Sequence, residues 1–224
     1  ELLKQLEEEM QSAAASRDFE RAAALRDTWL LVREAVKTRV RGERGPRERE
    51  DEAVAGVEEL RDALHLPRSP QVIECYDISN ISGTHAVGSM VCAVDGLPRR
   101  QRYRLFRIKT IEGSDDPAMM AEVIRRRFTR AREDNAWKIP DLVIVDGGIT
   151  QLRAAKRELQ ALGHGDLPAV GLAKRFEEIH VDAEDGRAVV RLPPDSPGLN
   201  VVRRIRDEAH RFALTYHRRL RGRR

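Results

Sequence analysis

The order of the apolar runs in the second part of this chain is the feature that most restricts its fold. Three short runs rich in β-branched residues come first, with Gly-containing turns between them: Val72 to Ile78, Ala86 to Val94 and Tyr103 to Ile108. Short apolar runs bounded by turn residues are typical of strands joined by hairpins. The predicted sheet therefore begins as an antiparallel meander.

Helical and strand-like patterns alternate after the meander. The predicted elements are helices and buried strands in turn, then a hairpin and a long helix: Pro117 to about Arg132, Asp141 to Val145, Thr150 to Leu162, Ala169 to Ala173, Glu178 to Asp182, Ala188 to Leu192, and about Pro197 to Arg219. A meander followed by βαβα predicts an α/β fold, in which helices flank a mixed sheet.

The first 39 residues contain neither glycine nor proline and carry apolar residues at three- and four-residue steps. This pattern predicts two helices separated at Ser16 to Glu20, where Ser16 or Asp18 is placed to cap the second one. Such a short hairpin cannot bury enough apolar surface to be stable alone. Its apolar stripe is therefore expected to bind a partner.

Residues 41–51 (RGERGPRERED) contain glycine, proline and charges but no apolar residue, which indicates a linker. An amphipathic helix is predicted to follow from Ala53 to Leu66, where Pro67 stops it. The expected organisation is a helical hairpin over residues 1–39, a linker over 40–52 and a larger domain over 53–224.

Two acidic residues end apolar runs. Asp77 follows VIECY and Asp146 follows DLVIV. A carboxylate in a central strand costs several kcal/mol unless a donor or cation compensates it. Either acid alone could cap a loop, but two on neighbouring strands favour a divalent cation such as Mg²⁺ or Mn²⁺. Gly147-Gly148 is an ordinary tight turn or a place where a phosphate or metal approaches the backbone.

Two further groups are candidates for the same site. Asp115-Asp116 precedes a predicted helix, where the pair either caps the helix or delivers one carboxylate to a metal. His210 lies in RDEAHRF within the last helix, and His217 lies two turns later on roughly the same face. A helical histidine is usually structural, but a neutral imidazole also binds metals or transfers protons.

Arginines cluster in three places. They are Arg125 to Arg127, then Arg203, Arg204 and Arg206, and then Arg218 to the end of the chain. Each cluster alone is typical of a solvated helix face, but three together favour a polyanionic partner, although the net charge is only +4. Metal-binding acids beside a basic surface predict phosphodiester hydrolysis.

The two cysteines, Cys75 and Cys92, lie inside apolar runs and are expected to be buried thiols. Neither a signal peptide nor an apolar stretch near the ~18 residues of a membrane span is present. The reducing cytoplasm is the expected location.

Motif strings give a more specific reading. Residues 10–27 (MQSAAASRDFERAAALRD) resemble the UVR motif. The rest resembles the C-terminal endonuclease domain of the UvrC family, the incision subunits of bacterial nucleotide excision repair, in six ordered strings: ECYDIS, GSDDPAM, IPDLVIVDGG, GLAKR, LPPDSP and IRDEAHRFA.

The resemblance implies an RNase H-like fold that cuts on the 5′ side of a DNA lesion. It implies that Asp77, Asp146 and His210 bind the divalent metal, with Asp116 in support. Damaged double-stranded DNA is the implied substrate, and the expected DNA contacts are Arg125, Arg126, Arg127, Lys174, His217 and Arg218.

The resemblance also implies that the hairpin binds UvrB, through which the chain meets UvrA only indirectly. The expected contact residues are Phe19, Glu20, Ala22, Ala23, Leu25 and Arg26. The chain shows no Gly-Ile-Tyr…Tyr-Ile-Gly module and no helix-hairpin-helix repeats, so it is expected to be a fragment or a lean homologue that makes only the 5′ incision. Two alternatives stay open: a nuclease of this fold acting on another structured nucleic acid, and a non-catalytic adaptor that docks on UvrB.

Overall fold

A computed structural model describes residues 2–16, 18–26, 28–29, 32, 45–81, 85–111, 113, 115–134, 136–173, 178–183 and 186–221. The backbone divides into two units, Glu1–Arg49 and Glu50–Arg224. Each unit is described by itself.

The first unit contains helix α1 (Leu2–Ala15) and helix α2, which is helical over residues 19–26 and 28–29. The carboxylate of Asp18 accepts a hydrogen bond from the backbone N–H of Arg21 at 3.1 Å, so Asp18 caps α2. On α1, Ala13 is buried and Leu6 and Met10 are half-buried. The predicted pair of helices is confirmed over these residues, and most of the predicted second helix beyond residue 29 lies outside the described ones.

Helix α3 (Pro46–Ala63) begins well before Ala53, so the linker prediction is wrong for its described part. Proline suits the first turn of a helix because its missing N–H has no partner there. Glu48 also accepts a hydrogen bond from the N–H of Gly45 at 3.3 Å, which is half of a capping box. The charged residues that suggested a linker are good helix formers, and they form the exposed first turns of α3.

The second unit is built on one mixed sheet. Its strands are β1 (Val72–Ile81), β2 (His85–Val94), β3 (Leu97–Pro98), β4 (Arg104–Arg107), β5 (Leu142–Val145), β6 (Ala169–Ala173), β7 (Glu178–Ala183) and β8 (Gly186–Val190). Their order is β3-β2-β1-β5-β6-β7-β8, with β4 also paired to β2. The three central strands β1, β5 and β6 are parallel, and the outer pairs are antiparallel. The predicted α/β mixed sheet is confirmed, and β3 is an addition to it.

Helices cover both faces because β1 alternates its side chains between two cores. On one face, α4 (Asp116–Glu133) and α5 (Ile149–Ala161) share a core with Tyr76 and Val143. On the other, α3 and α6 (Pro197–Arg221) pack around Ile73, Cys75 and Ile144. Cys75 and the second thiol, Cys92, are buried and unpaired, as the sequence predicts.

Among the described residues, no helix has both the length and the apolar character that crossing a membrane requires.

Candidate active site

Asp77 and Asp146 stand side by side because they follow paired residues of two parallel strands. Tyr76 of β1 pairs with Val145 of β5, and the N–H of Asp146 donates to the carbonyl of Tyr76 at 2.8 Å. The Asp77 side chain is only 4% exposed, whereas Asp146 is half-buried. The two acids therefore lie next to each other where the pairing of the central strands β1 and β5 ends.

Helix α6 brings His210 to the same place. Its Nδ1 lies 3.8 Å from Oδ2 of Asp77, and its side chain is 57% exposed. On β2, Ser89 pairs with Asp77, and its hydroxyl donates to the carbonyl of Ala209 at 3.2 Å. This buried bond holds α6 against the sheet one residue before His210.

Two adjacent clefts share Asp146 as a wall. The first encloses about 400 Å³ and is lined by three acids, Asp77, Asp116 and Asp146, beside the Gly147-Gly148 turn. The second encloses about 530 Å³ and is lined by residues of α6 together with Asp146: Arg206, Asp207, His210, Arg211 and Leu214. The acids and the histidine therefore open onto one continuous surface.

Asp115 and Asp116 take different positions, one at the predicted helix cap and the other at the predicted site. The Asp115 side chain accepts from the N–H of Ala118 at 3.0 Å, which makes it the cap of α4. Asp116 lines the first cleft. Glu122 fixes the preceding segment by accepting hydrogen bonds from the backbone N–H groups of Lys109 and Thr110, both at 3.0 Å.

The glycines after Asp146 have no positive φ, so a left-handed turn is not the reason for them. A Cβ on Gly148 would meet only the end of the Gln151 side chain at 3.9 Å, which leaves the backbone open toward the cleft. The steric restriction is tighter at Gly171 of β6, because a Cβ there would stand 2.7 Å from the carbonyl oxygen of Gly147.

The donor atoms at this site suit a hard divalent cation, which prefers carboxylate oxygens and accepts imidazole nitrogen. The buried Asp77 accepts from the Ser79 hydroxyl at 2.9 Å, and among the described residues it forms no ion pair with lysine or arginine. Within the same part of the chain, no three His, Cys, Asp or Glu side chains already surround a common metal position. The residue types fit a metal, and their side chains are near one another without enclosing it.

Of the arginines predicted to contact DNA, Arg127 requires correction. Its side chain is 2% exposed and donates to Glu74 at 2.6 Å and to the carbonyl of Lys138 at 2.7 Å. Its position on the inner face of α4 makes it a core residue, which a helical run of arginines does not reveal.

Arg125 pairs with Glu158 at 2.7 Å, and Arg126 pairs with Glu122 at 2.9 Å. Both remain partly exposed, at 54% and 34%, so their contact with DNA stays a prediction. Lys174 lies outside the described residues, as do the side chains of His217 and Arg218, whose backbone belongs to α6.

In the first unit, the residues predicted to contact a partner differ in how exposed their side chains are. Phe19 is 69% exposed, an unusual state for an aromatic side chain. Glu20 and Arg26 are exposed, and the apolar Ala22, Ala23 and Leu25 are half-buried.

Four residues at or near the site were not among the predicted site residues: Ser89, Glu122, Gly171 and Arg206. Ser89 and Glu122 are buried polar residues within apolar segments, which was an available signal. The sequence marks Arg206 only as a member of a basic cluster. Their roles depend on contacts between distant segments, which local patterns do not encode.

Residues 61–214 match the family model of the UvrC RNase H endonuclease domain, and residues 1–30 match that of the UvrB/UvrC motif. The chain is 52% identical over 171 residues to the UvrABC system protein C of Methanococcoides burtonii, covering 76% of this chain and 28% of that protein. It is 48% identical over 170 residues to the protein of the same name from Pelodictyon phaeoclathratiforme, covering 75% and 26%.

The chain thus spans about a quarter of the length of these relatives. A structure of Ciona intestinalis endonuclease V with inosine-containing DNA matches with a TM-score of 0.40 and 17% identity, over 67% of this chain and 80% of that one. The two family matches, with the acids and histidine in the matched region, establish that the chain belongs to the UvrC family.

Proposed function

We propose that this chain is a metal-dependent endodeoxyribonuclease that cuts 5′ of a DNA lesion after docking on UvrB. The observation that carries the proposal is the meeting of Asp77, Asp146 and His210 at one sheet edge, where Asp146 lines two open clefts. A non-catalytic adaptor has no need for a buried carboxylate beside a solvent-exposed imidazole.

The proposed site residues have distinct roles. Asp77 and Asp146 would supply carboxylate oxygens and His210 a nitrogen to Mg²⁺ or Mn²⁺, with Asp116 in support. A bound ion of this kind activates water for attack on phosphorus and stabilises the leaving oxygen. The His210 side chain is 57% exposed and open to solvent, whereas the Asp77 carboxylate beside it is buried.

Each of the two units has its own proposed partner, UvrB for the first unit and damaged DNA for the second. The first unit, which matches the UvrB/UvrC motif, would bind the hairpin that carries the same motif in UvrB. Phe19 and its neighbours would form the contact, which accounts for the exposed aromatic ring. UvrB would in turn link the chain to UvrA and place the nuclease unit on damaged duplex DNA. Binding to DNA should weaken as salt rises, because each neutralised phosphate releases counterions.

Asp77→Asn tests the catalytic assignment. With UvrA and UvrB present, we expect incision of lesion-containing duplex to fall by about a thousandfold, since several kcal/mol of transition-state stabilisation are lost. Titration with Mn²⁺ by calorimetry should show weaker metal binding, and capture by UvrB should be unchanged. Asp62→Asn, at an exposed position on α3, is the matched control.

Three results would overturn parts of the proposal. Unchanged incision by Asp77→Asn removes the site assignment. Incision on the 3′ side by the wild-type chain removes the restriction to one cut. Faster cleavage of a branched junction or an RNA–DNA hybrid than of lesion DNA would assign the nuclease another substrate.

A further inference from the structure

Helix α6 presents Arg206, His210 and Leu214 to the second cleft at four-residue steps. We propose that this stripe is the binding surface for the DNA strand that is cut: Arg206 binds a backbone phosphate, and Leu214 packs against the deoxyribose or base of a neighbouring nucleotide. The inference rests on the proposed function, because it takes the adjoining Asp77, Asp146 and His210 as the cutting site.

Arg206 differs from the other two arginines of its cluster. Arg203 donates to the carbonyl of Pro194 at 2.8 Å, and Arg204 donates to the carbonyl of Gly96 at 3.3 Å, so both hold α6 to other segments. Arg206 instead bonds to the carboxylate of its own neighbour, Asp207, at 3.2 and 3.3 Å. Arg206 lines the second cleft, and within the described part of the chain its guanidinium pairs with Asp207 of the same helix and not with another element.

The charge of Arg206 also reaches Cys75, the buried thiol of β1 two residues before Asp77. Burial raises the pKa of the Cys75 thiol, Asp146 and Asp77 raise it further, and Arg206 acts in the opposite direction. Arg206 therefore lies close enough to the sheet to act on the same buried thiol as Asp77 and Asp146 do. A planar guanidinium binds two phosphate oxygens at once, which suits a group that must orient a phosphodiester beside those acids.

Leu214 supplies apolar contact at the same cleft. Its side chain is 42% exposed, and among the described residues the other exposed large apolar side chains are Phe19, Val54 and Ile139. The surrounding lining is charged, since Asp146, Asp207 and two arginines share the cleft. A strand of DNA matches this mixture, because it alternates charged phosphates with the apolar faces of sugars and bases.

DNA binding in EDTA tests the surface without a contribution from metal. The probe is a fluorescein-labelled duplex, and its anisotropy is followed with the full chain over a series of salt concentrations. Arg206→Gln should weaken binding about tenfold and reduce the slope of log K against log salt by about 1, as expected for one lost phosphate contact. Arg206→Lys should keep the slope, because it keeps the charge. Arg203→Gln, the matched control, should bind as the wild type does.

Leu214→Ala should weaken binding about fivefold with an unchanged salt slope, because the lost contact is apolar and uncharged. Val54→Ala is its control, because Val54 is an exposed apolar residue (52%) outside both clefts. A wild-type slope in Arg206→Gln, or wild-type affinity in Leu214→Ala, would overturn the proposal.

A neutral methylphosphonate linkage, placed in turn at each position near the cut, locates the contacted phosphate. We expect the wild type to lose affinity at one linkage where Arg206→Gln loses none, because the two changes remove the same contact. Equal losses of affinity in both proteins at every linkage would show that Arg206 does not contact a phosphate, which contradicts the proposal. If the wild type binds in this manner yet never incises DNA, the proposed function fails while the binding surface stands.

Discussion

Nδ1 of His210 lies 3.8 Å from Oδ2 of Asp77, although one residue belongs to the last helix and the other to the first strand of the sheet. Ser89 connects them, because it pairs with Asp77 across the β1–β2 ladder and donates to the carbonyl of Ala209. This buried hydrogen bond therefore contributes to the distance between the imidazole and the carboxylate.

Ser89→Ala should slow incision without preventing folding. Losing one buried hydrogen bond costs about 1 kcal/mol of stability, but a displaced His210 should reduce kcat roughly tenfold to a hundredfold. KM for DNA should change little, since Ser89 is fully buried and cannot touch DNA. Single-turnover kinetics separate the two constants. Thr215→Ala is the control, because its hydroxyl bonds within α6 to the carbonyl of Arg211; an equal loss in both variants would contradict the positioning role.

Gly171→Ala should impair the site through the backbone. The new methyl group would lie 2.7 Å from the carbonyl oxygen of Gly147, so β6 and the turn after Asp146 must separate. We expect destabilisation of about 1–3 kcal/mol and a marked loss of incision. Gly148→Ala provides the comparison, because its methyl group meets nothing closer than 3.9 Å. Urea unfolding and incision assays on the pair would show whether position 171 is the sensitive one.

Arg127→Ala should destabilise the fold by about 3–5 kcal/mol, because it leaves the buried carboxylate of Glu74 without its cation. Arg125→Ala should cost less than about 1 kcal/mol, since its pair with Glu158 is exposed to solvent. The measurement is the free energy of unfolding in urea. A similar loss in the two variants would show that burial of Arg127 does not govern its contribution.

Glu122 should make the free energy of unfolding depend on pH. Burial opposes its ionisation, but hydrogen bonds from Thr110, Lys109 and Arg126 outweigh burial and lower the pKa of this carboxyl below the ordinary 4.5. A lowered folded-state pKa gives stability that is fully present above the unfolded pKa and is lost as pH falls through the folded pKa. Glu122→Gln should therefore be about 2 kcal/mol less stable at pH 7. The gap should narrow below pH ~4.5, and a gap that stays constant from pH 7 to pH ~3 would refute this.

Phe19→Ala should weaken docking on the UvrB hairpin without affecting the nuclease unit. Burying a phenylalanine side chain contributes about 1.5–3 kcal/mol, so the Kd should rise roughly tenfold to a hundredfold. Calorimetry with the isolated UvrB hairpin measures this effect. Gln11→Ala, an exposed change on α1, is the control, and unchanged affinity in Phe19→Ala would remove the docking role.

Local patterns were sufficient where one segment determines its own structure. Asp77 and Asp146 stood out because each ends an apolar run, and parallel pairing then places such residues together. Local patterns do not predict the helix that begins at Pro46, because charged residues that suggest a linker also form the exposed turns of a helix. They do not predict the burial of Arg127 either, because an arginine run does not say which member faces inward.

The sequence by itself determined the strand and helix order, the two acids that follow apolar runs, and the family, because these depend on periodicity and on short ordered motifs. The tertiary structure decided which histidine atom approaches Asp77, that Ser89 holds α6 in place, and that Arg206 rather than Arg127 faces the cleft. Those facts depend on packing between segments far apart in the chain, where the register of β1 against β2 and the seating of α6 set the distances. The Asp-Asp-His cluster is encoded in three separate motifs, and only the folded sheet brings them within reach of one another.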